Sequence, residues 1–181
     1  MDPSEECIFR FLKWELHEAV SEEVFENTPK RFTDAFRELM GTHDEPWEFT
    51  TFETDLDEMI VVSDIDFVTL CEHHLLPFYG RAHVGYIPQG CMAGLSKIAR
   101  CVKSTARGIW TQENLTVGIA NELELHLAPK GVAVVLVAEH TCMGIRGVKS
   151  NGSKTTTSAL RGVYRDNENN ARAEFLRLIH G

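Results

Sequence analysis

The apolar residues of this 181-residue chain change period near residue 59, and that change limits the folds open to it. Before it they recur at helical spacing. Ile8, Phe11, Leu12, Leu16 and Ala19 predict one helix, with Ser4 as its N-cap. Thr28 as cap, Pro29 at the first helical position, Phe32, Phe36 and Leu39 as a stripe, and Gly41 as a stop predict a second. Residues 42–50, with Pro46 and Trp47, read as a connecting loop. Beyond residue 59 the runs at 59–70 and 79–88 are rich in β-branched and aromatic residues and predict strands. Two helices follow, one from Leu95 to Arg107 and one from an N-cap at Thr111 to Leu127, with a turn between them. Residues 131–139 and 154–164 predict two further strands, and 168–179 a closing helix. The order is helices, then ββααββα. It defines an α+β chain with a largely antiparallel sheet, divided into a helical region (1–50) and a sheet domain (51–181).

Composition removes several function classes. No apolar run approaches the roughly 20 residues of a membrane helix. The acidic start, Met1-Asp2-Pro3-Ser4-Glu5-Glu6, does not resemble a signal peptide, and five cysteines suit a reducing compartment, so a cytoplasmic location is expected. The net charge of −9 argues against direct nucleic-acid binding. It is unevenly spread: residues 1–60 carry 17 acidic and 5 basic side chains, residues 61–181 carry 10 and 13. A mildly basic second half suits an anionic ligand as well as it suits ordinary surface charge.

Two clusters carry the chemistry. Cys71-Glu72-His73-His74 stands at the end of one predicted strand and His140-Thr141-Cys142 at the end of another. Cys and His separated by two residues (C-x-x-H) offer a thiolate and an imidazole to one metal ion, and residues i and i+2 of an extended chain, such as His140 and Cys142, point the same way. Four of the five Cys and His side chains can close a Cys₂His₂ structural site. Alternatively, three can bind zinc and leave a fourth position for water, or a thiol nucleophile can work with a His base. The spare histidine favours the open, catalytic version. The predicted helix over 95–107 places Lys97, Arg100 and Arg107 along one side and Leu95, Ile98 and Val102 toward the core. Arg146 and Lys149 follow the second cluster. Metal beside a basic rim suggests hydrolysis of a nucleotide.

At these motifs the sequence resembles the GTP cyclohydrolase I family in its zinc-dependent form. The likeness runs from Thr28-Pro29-Lys30-Arg31 to Phe175-Leu176. It is densest in Cys-Glu-His-His (71–74), Gly-Leu-Ser-Lys-Ile-Ala-Arg (94–100), Gln-Glu-Asn-Leu (112–115), His-Thr-Cys-Met (140–143), Arg-Gly-Val (146–148) and Thr-Thr-Thr-Ser (155–158). The resemblance implies that Cys71, His74 and Cys142 hold one Zn²⁺ per chain and that His73 and His140 handle protons. It implies that Gln112 and Glu113 hold the guanine and ribose end of GTP, that Ser96 contacts the sugar, and that Lys97, Arg100 and Arg146 bind the triphosphate. Arg31 would reach the triphosphate of a neighbouring subunit. The implied reaction turns GTP and water into 7,8-dihydroneopterin triphosphate and formate, at the start of folate-type, biopterin or deazaguanine synthesis. The implied fold is the tunnelling fold (T-fold), a four-stranded antiparallel ββααββ sheet with N-terminal helices. Its sheets join into a barrel in a homodecamer of two stacked pentamers. Two rivals remain open at this point. One is a zinc-stabilised interaction module, which metal removal would unfold. The other is a related tunnelling-fold enzyme acting on a later pterin intermediate.

Overall fold

The computed structural model describes residues 2–16, 19–41, 47–166 and 170–180. The chain divides into two compact units, residues 1–45 and 46–181. The first holds α1 (Pro3–Leu16) and α2 (Glu22–Met40). The Ser4 backbone N–H donates to Asp2 Oδ1 at 2.8 Å, so Asp2 rather than Ser4 caps α1, and Pro3 takes a first-turn position that needs no donor. Ala19 lies beyond the helix end. The second helix departs further from expectation, starting at Glu22 rather than after Thr28 and holding Pro29 in its interior. Phe25, Pro29 and Thr33, four residues apart, are its buried stripe, so the proline ring is a packing group and not a start signal. Glu22 and Glu23 suit the positive end of the helix dipole. Gly41 ends the helix in the left-handed region, φ 68°, as the sequence predicts.

The second unit runs β1 (Thr51–Glu53), β2 (Ile60–Cys71), β3 (Pro77–Ile87), β4 (Cys91–Ala93), α3 (Leu95–Ala106), β5 (Ile109–Trp110) and α4 (Gln112–Leu127). It continues through β6 (Gly131–His140), the single turn α5 (Thr141–Gly144), β7 (Thr155–Leu160), a 3₁₀ turn at Gly162–Tyr164 and α6 (Ala171–His180). Strands β2, β3, β6 and β7 form the antiparallel ββααββ sheet that the sequence predicts, in the order β2-β3-β6-β7. The segment 107–110, expected as a turn, adds β5 as a short parallel strand on the outer edge of β2. Strands β1 and β4 pair separately. The strand expected over 154–164 stops at Leu160, because Gly162 turns the chain with φ 55°. Of the loop expected at 42–50, residues 42–46 lie outside the described set, as do 168 and 169 of the last helix.

Strand β6 shows why the unit is layered. Val132, Val134, Leu136 and Ala138 face the helices α3 and α4, while Ala133 and Val135 face Tyr164, Ala171 and Phe175 on the other side. A strand buried on both faces needs apolar residues at every position, which is how 131–138 reads. Helix α4 meets the sheet through Leu115, Ile119, Ala120, Leu123 and Leu127, at helical spacing. Thr111 caps it, its hydroxyl accepting from the Asn114 N–H at 3.2 Å. Helix α3 buries Ile98, Cys101, Val102 and Ala106, but Leu95, expected in the core, is 66% exposed at the first turn. On the far side α6 docks through Phe175, whose ring occupies the space a side chain at Gly85 would take, with Phe175 Cδ2 2.6 Å from an ideal Cβ there.

Candidate metal centre and active site

The hairpin between β2 and β3 brings the first cluster to one end of the sheet. The Cys71 carbonyl accepts from the N–H groups of His74 (3.3 Å) and Leu75 (2.8 Å), and Leu75 closes the turn with φ 54°. Strand register then brings the second cluster alongside, because Phe78 pairs with His140 across β3 and β6. The Thr141 hydroxyl donates to the Pro77 carbonyl at 2.6 Å, which ties the start of α5 to β3 and leaves Cys142 over the hairpin. Ligand atoms of Cys71, His74 and Cys142 all lie within 4.8 Å of one another. Among the described residues this is the one group of three such side chains.

These residues fit a zinc ion. Tetrahedral zinc with Zn–S of about 2.3 Å and Zn–N of about 2.0–2.1 Å sets its ligand atoms about 3.4–3.8 Å apart. Cys71 Sγ lies 4.0 Å from His74 Nδ1, so small side-chain rotations close the triad. Two soft thiolates and one imidazole are a zinc donor set, and three protein ligands leave a position open. Burial, with the Cys71 thiol beside it, pushes the Cys142 thiol above its ordinary value, a cost that a bound cation reverses.

The two remaining histidines differ in their surroundings. His73 is exposed, its Nδ1 3.9 Å from Cys71 Sγ and its Nε2 3.6 Å from the Glu72 carboxylate. His140 is half-buried, and its ring stacks on Phe78 at 4.4 Å and 10°. Its Nε2 lies 2.8 Å from Gln112 Oε1. Burial draws the His140 imidazole below its ordinary value, opposed by the Glu113 carboxylate.

A cavity of about 310 Å³ gathers Cys71, His73, His74, Gln112, Glu113, His140 and Cys142, walled by Trp110, Thr111, Met143 and Thr155. Seven of the twelve site residues that the resemblance implies thus line one pocket. Arg146 stands close enough to the Cys142 thiol for its charge to act on it. Ser96, Lys97 and Arg100 on α3 do not line the cavity, and Lys97 Nζ donates to the Glu48 carbonyl at 2.8 Å. Arg31 belongs to the other unit and pairs there with Glu23 at 2.8 Å. Sequence reading missed Trp110 and the Phe78 ring as parts of the site, and Met143 entered only within the His-Thr-Cys-Met motif. Thr155 was noticed only as part of a motif, although the alternation of Thr155 and Thr157 along β7 marks one face of a strand.

Fold and pocket together define an α+β protein with a candidate three-ligand metal centre at a sheet end. The sequence matches the GTP cyclohydrolase I family over residues 5–180. It is 48% identical to the GTP cyclohydrolase 1 of Methylococcus capsulatus over 178 residues, covering 96% of both chains. The GTP cyclohydrolase 1 of Lysinibacillus sphaericus is 48% identical over 155 residues (83% of this chain, 82% of the relative), and that of Streptococcus mutans 43% over 180 (97% and 93%). The chain belongs to the GTP cyclohydrolase I family.

Proposed function

We infer that this chain hydrolyses GTP at its guanine imidazole ring, releasing formate and forming 7,8-dihydroneopterin triphosphate. The convergence of Cys71, His74 and Cys142 beside a half-buried His140 is the observation that carries this reading. The three ligands would hold one zinc ion per chain, and a zinc ion bound there would supply Lewis-acid activation of water. Glu113, exposed on the first turn of α4 and lining the pocket, accepts the paired N–H donors of the guanine edge. His140, half-buried against Phe78, delivers a proton to N7 as the ring opens, the role the family resemblance implies for it. His73, at the solvent side, exchanges protons in the later steps.

The triphosphate needs cations, and among the described residues no lysine or arginine lines this pocket, although Arg146 stands near its Cys142. Lys97 and Arg100 of α3 supply these cations, with Arg31 reaching in from a neighbouring copy and Ser96 contacting the sugar, so that residues 51–181 act as the catalytic domain within an assembly whose sites lie between subunits. The outer edges of β5 and β7 support this arrangement, since open ladder edges call for a partner strand. Sheets joined edge to edge into a barrel, as two stacked pentamers, would cover them. Among the described residues no helix is long and apolar enough to cross a membrane, and a cytoplasmic enzyme drawing on the nucleotide pool fits the chemistry. The test is incubation of zinc-loaded protein with GTP or with dihydroneopterin triphosphate. Formate and a pterin that fluoresces after oxidation are expected from GTP. Turnover of dihydroneopterin triphosphate without formate release from GTP would overturn the reading.

A further inference from the structure

The Gln112 side chain is 2% exposed and its donor hydrogens are already committed. Its Nε2 donates to the carbonyls of Leu136 (3.2 Å) and Thr155 (2.9 Å) and to Thr157 Oγ1 (3.1 Å). Carbonyl oxygens only accept, so the amide cannot be reversed, and Oε1 must be the atom that faces His140 Nε2 at 2.8 Å. An amide oxygen has no proton to give, so the hydrogen in that contact belongs to the imidazole. The surroundings hold the glutamine in turn. Thr116 Oγ1 donates to the Gln112 carbonyl at 2.6 Å, and the Thr116 and Thr157 hydroxyls lie 2.6 Å apart. Three elements, α4, β6 and β7, therefore converge to orient one amide oxygen.

We propose that Gln112 is a positioning residue that holds His140 as the Nε2–H tautomer, so that all proton traffic with substrate passes through His140 Nδ1. This rests on the reading of His140 as the proton-handling group, and it differs from a direct contact between Gln112 and the ribose or guanine. The stack on Phe78 fixes the plane of the imidazole, and the Gln112 oxygen fixes its rotation within that plane. A free imidazole would divide its population between tautomers and orientations, and only one turns Nδ1 to the reacting atom as the nitrogen that exchanges protons.

The test is a double-mutant cycle at constant pH with Gln112→Met, His140→Ala and the pair, reading zinc content, GTP affinity and the kcat of formate release. Gln112→Met should keep zinc and GTP affinity and lose roughly 10–100-fold in kcat, the usual effect of removing an orienting partner. In the His140→Ala background the same change should cost nothing more, since the residue it orients is gone. A loss of GTP affinity, or an equal kcat loss with and without His140, would overturn the proposal. Full activity of His140→Ala would instead sink the reading of His140 itself. Should Gln112→Met fail to fold, because the Leu136 and Thr155 carbonyls lose their donor, Gln112→Asn keeps an amide in the site but withdraws its oxygen by one carbon–carbon bond. It is expected to give the same pattern in kcat and in the cycle.

Discussion

Replacing Gly80 by alanine should damage the fold and the pocket together. Gly80 pairs with Ala138 across β3 and β6. A Cβ there would stand 2.0 Å from the Val137 carbonyl oxygen, where ordinary contact begins near 3.4 Å. The obstacle is backbone, so no rotamer relieves it, and the two strands must part locally by more than 1 Å. That stretch breaks one or two ladder hydrogen bonds, each worth about 0.5–1.5 kcal/mol net, and adds about 1–3 kcal/mol of overpacking strain. The sum, about 1.5–6 kcal/mol, is a large part of the roughly 5–15 kcal/mol that holds a domain together. Two residues along, Phe78 pairs with His140, so the opening should also tilt the stacked imidazole and lower turnover of the surviving folded protein. Urea unfolding at fixed protein concentration measures the first effect and formate release the second. Gly118→Ala is the control, because it makes the same chemical change inside α4, where a Cβ meets only Thr105 Cγ2 at 3.4 Å and the Trp110 ring at 3.5 Å. A mid-helix glycine costs about 1 kcal/mol relative to alanine, so this variant should be neutral or more stable. If Gly80→Ala unfolded at the wild-type urea concentration, the close approach of β3 and β6 would be wrong.

The same strands show how much was legible from residues alone. Strands β2, β3 and β6 announce themselves through β-branched runs, and α4 through a threonine cap and a full apolar stripe, because each signal is local and periodic. The two Cys and His clusters were legible for a related reason, although which three side chains would bind the metal came only from the family resemblance. Each cluster sits where a strand ends, and strand ends of one sheet gather at its edges. Three-residue strands such as β1 and β4 are too short to show a period, and β5 is defined only by the β2 edge it joins. Pro29 misled because proline favours the first helical position, where its missing N–H costs nothing, whereas here it lies inside α2 and is buried along with Phe25 and Thr33, a tertiary fact. Gln112 was legible as a site residue through resemblance, but not its hold on His140, which depends on α4, β6 and β7 meeting at one point.

Three further outcomes are expected. Cys142→Ser should reduce bound zinc well below one per chain and abolish formate release, as metal analysis of the purified protein would show. Full zinc occupancy would remove Cys142 from the ligand set. His140→Ala should keep its zinc and its affinity for GTP while losing roughly 10²–10⁴-fold in turnover, the usual scale of general acid–base help. Zinc loss in that variant would make His140 a ligand. The last concerns Cys101 of α3, 1% exposed and near Glu122 of α4, whose thiol burial pushes from an ordinary value near 9 up to about 12. The folded state favours the neutral thiol. Its contribution to stability is therefore whole below pH 9, shrinks as pH rises above that value, and is gone once pH passes 12. Each pH unit in that window removes up to about 1.4 kcal/mol. Melting temperature should accordingly fall between pH 9 and 11, and fall less steeply in Cys101→Ala, which has no proton to lose. Parallel slopes for the two proteins would show that alkaline instability comes from other groups and that the thiol is not held neutral by its burial.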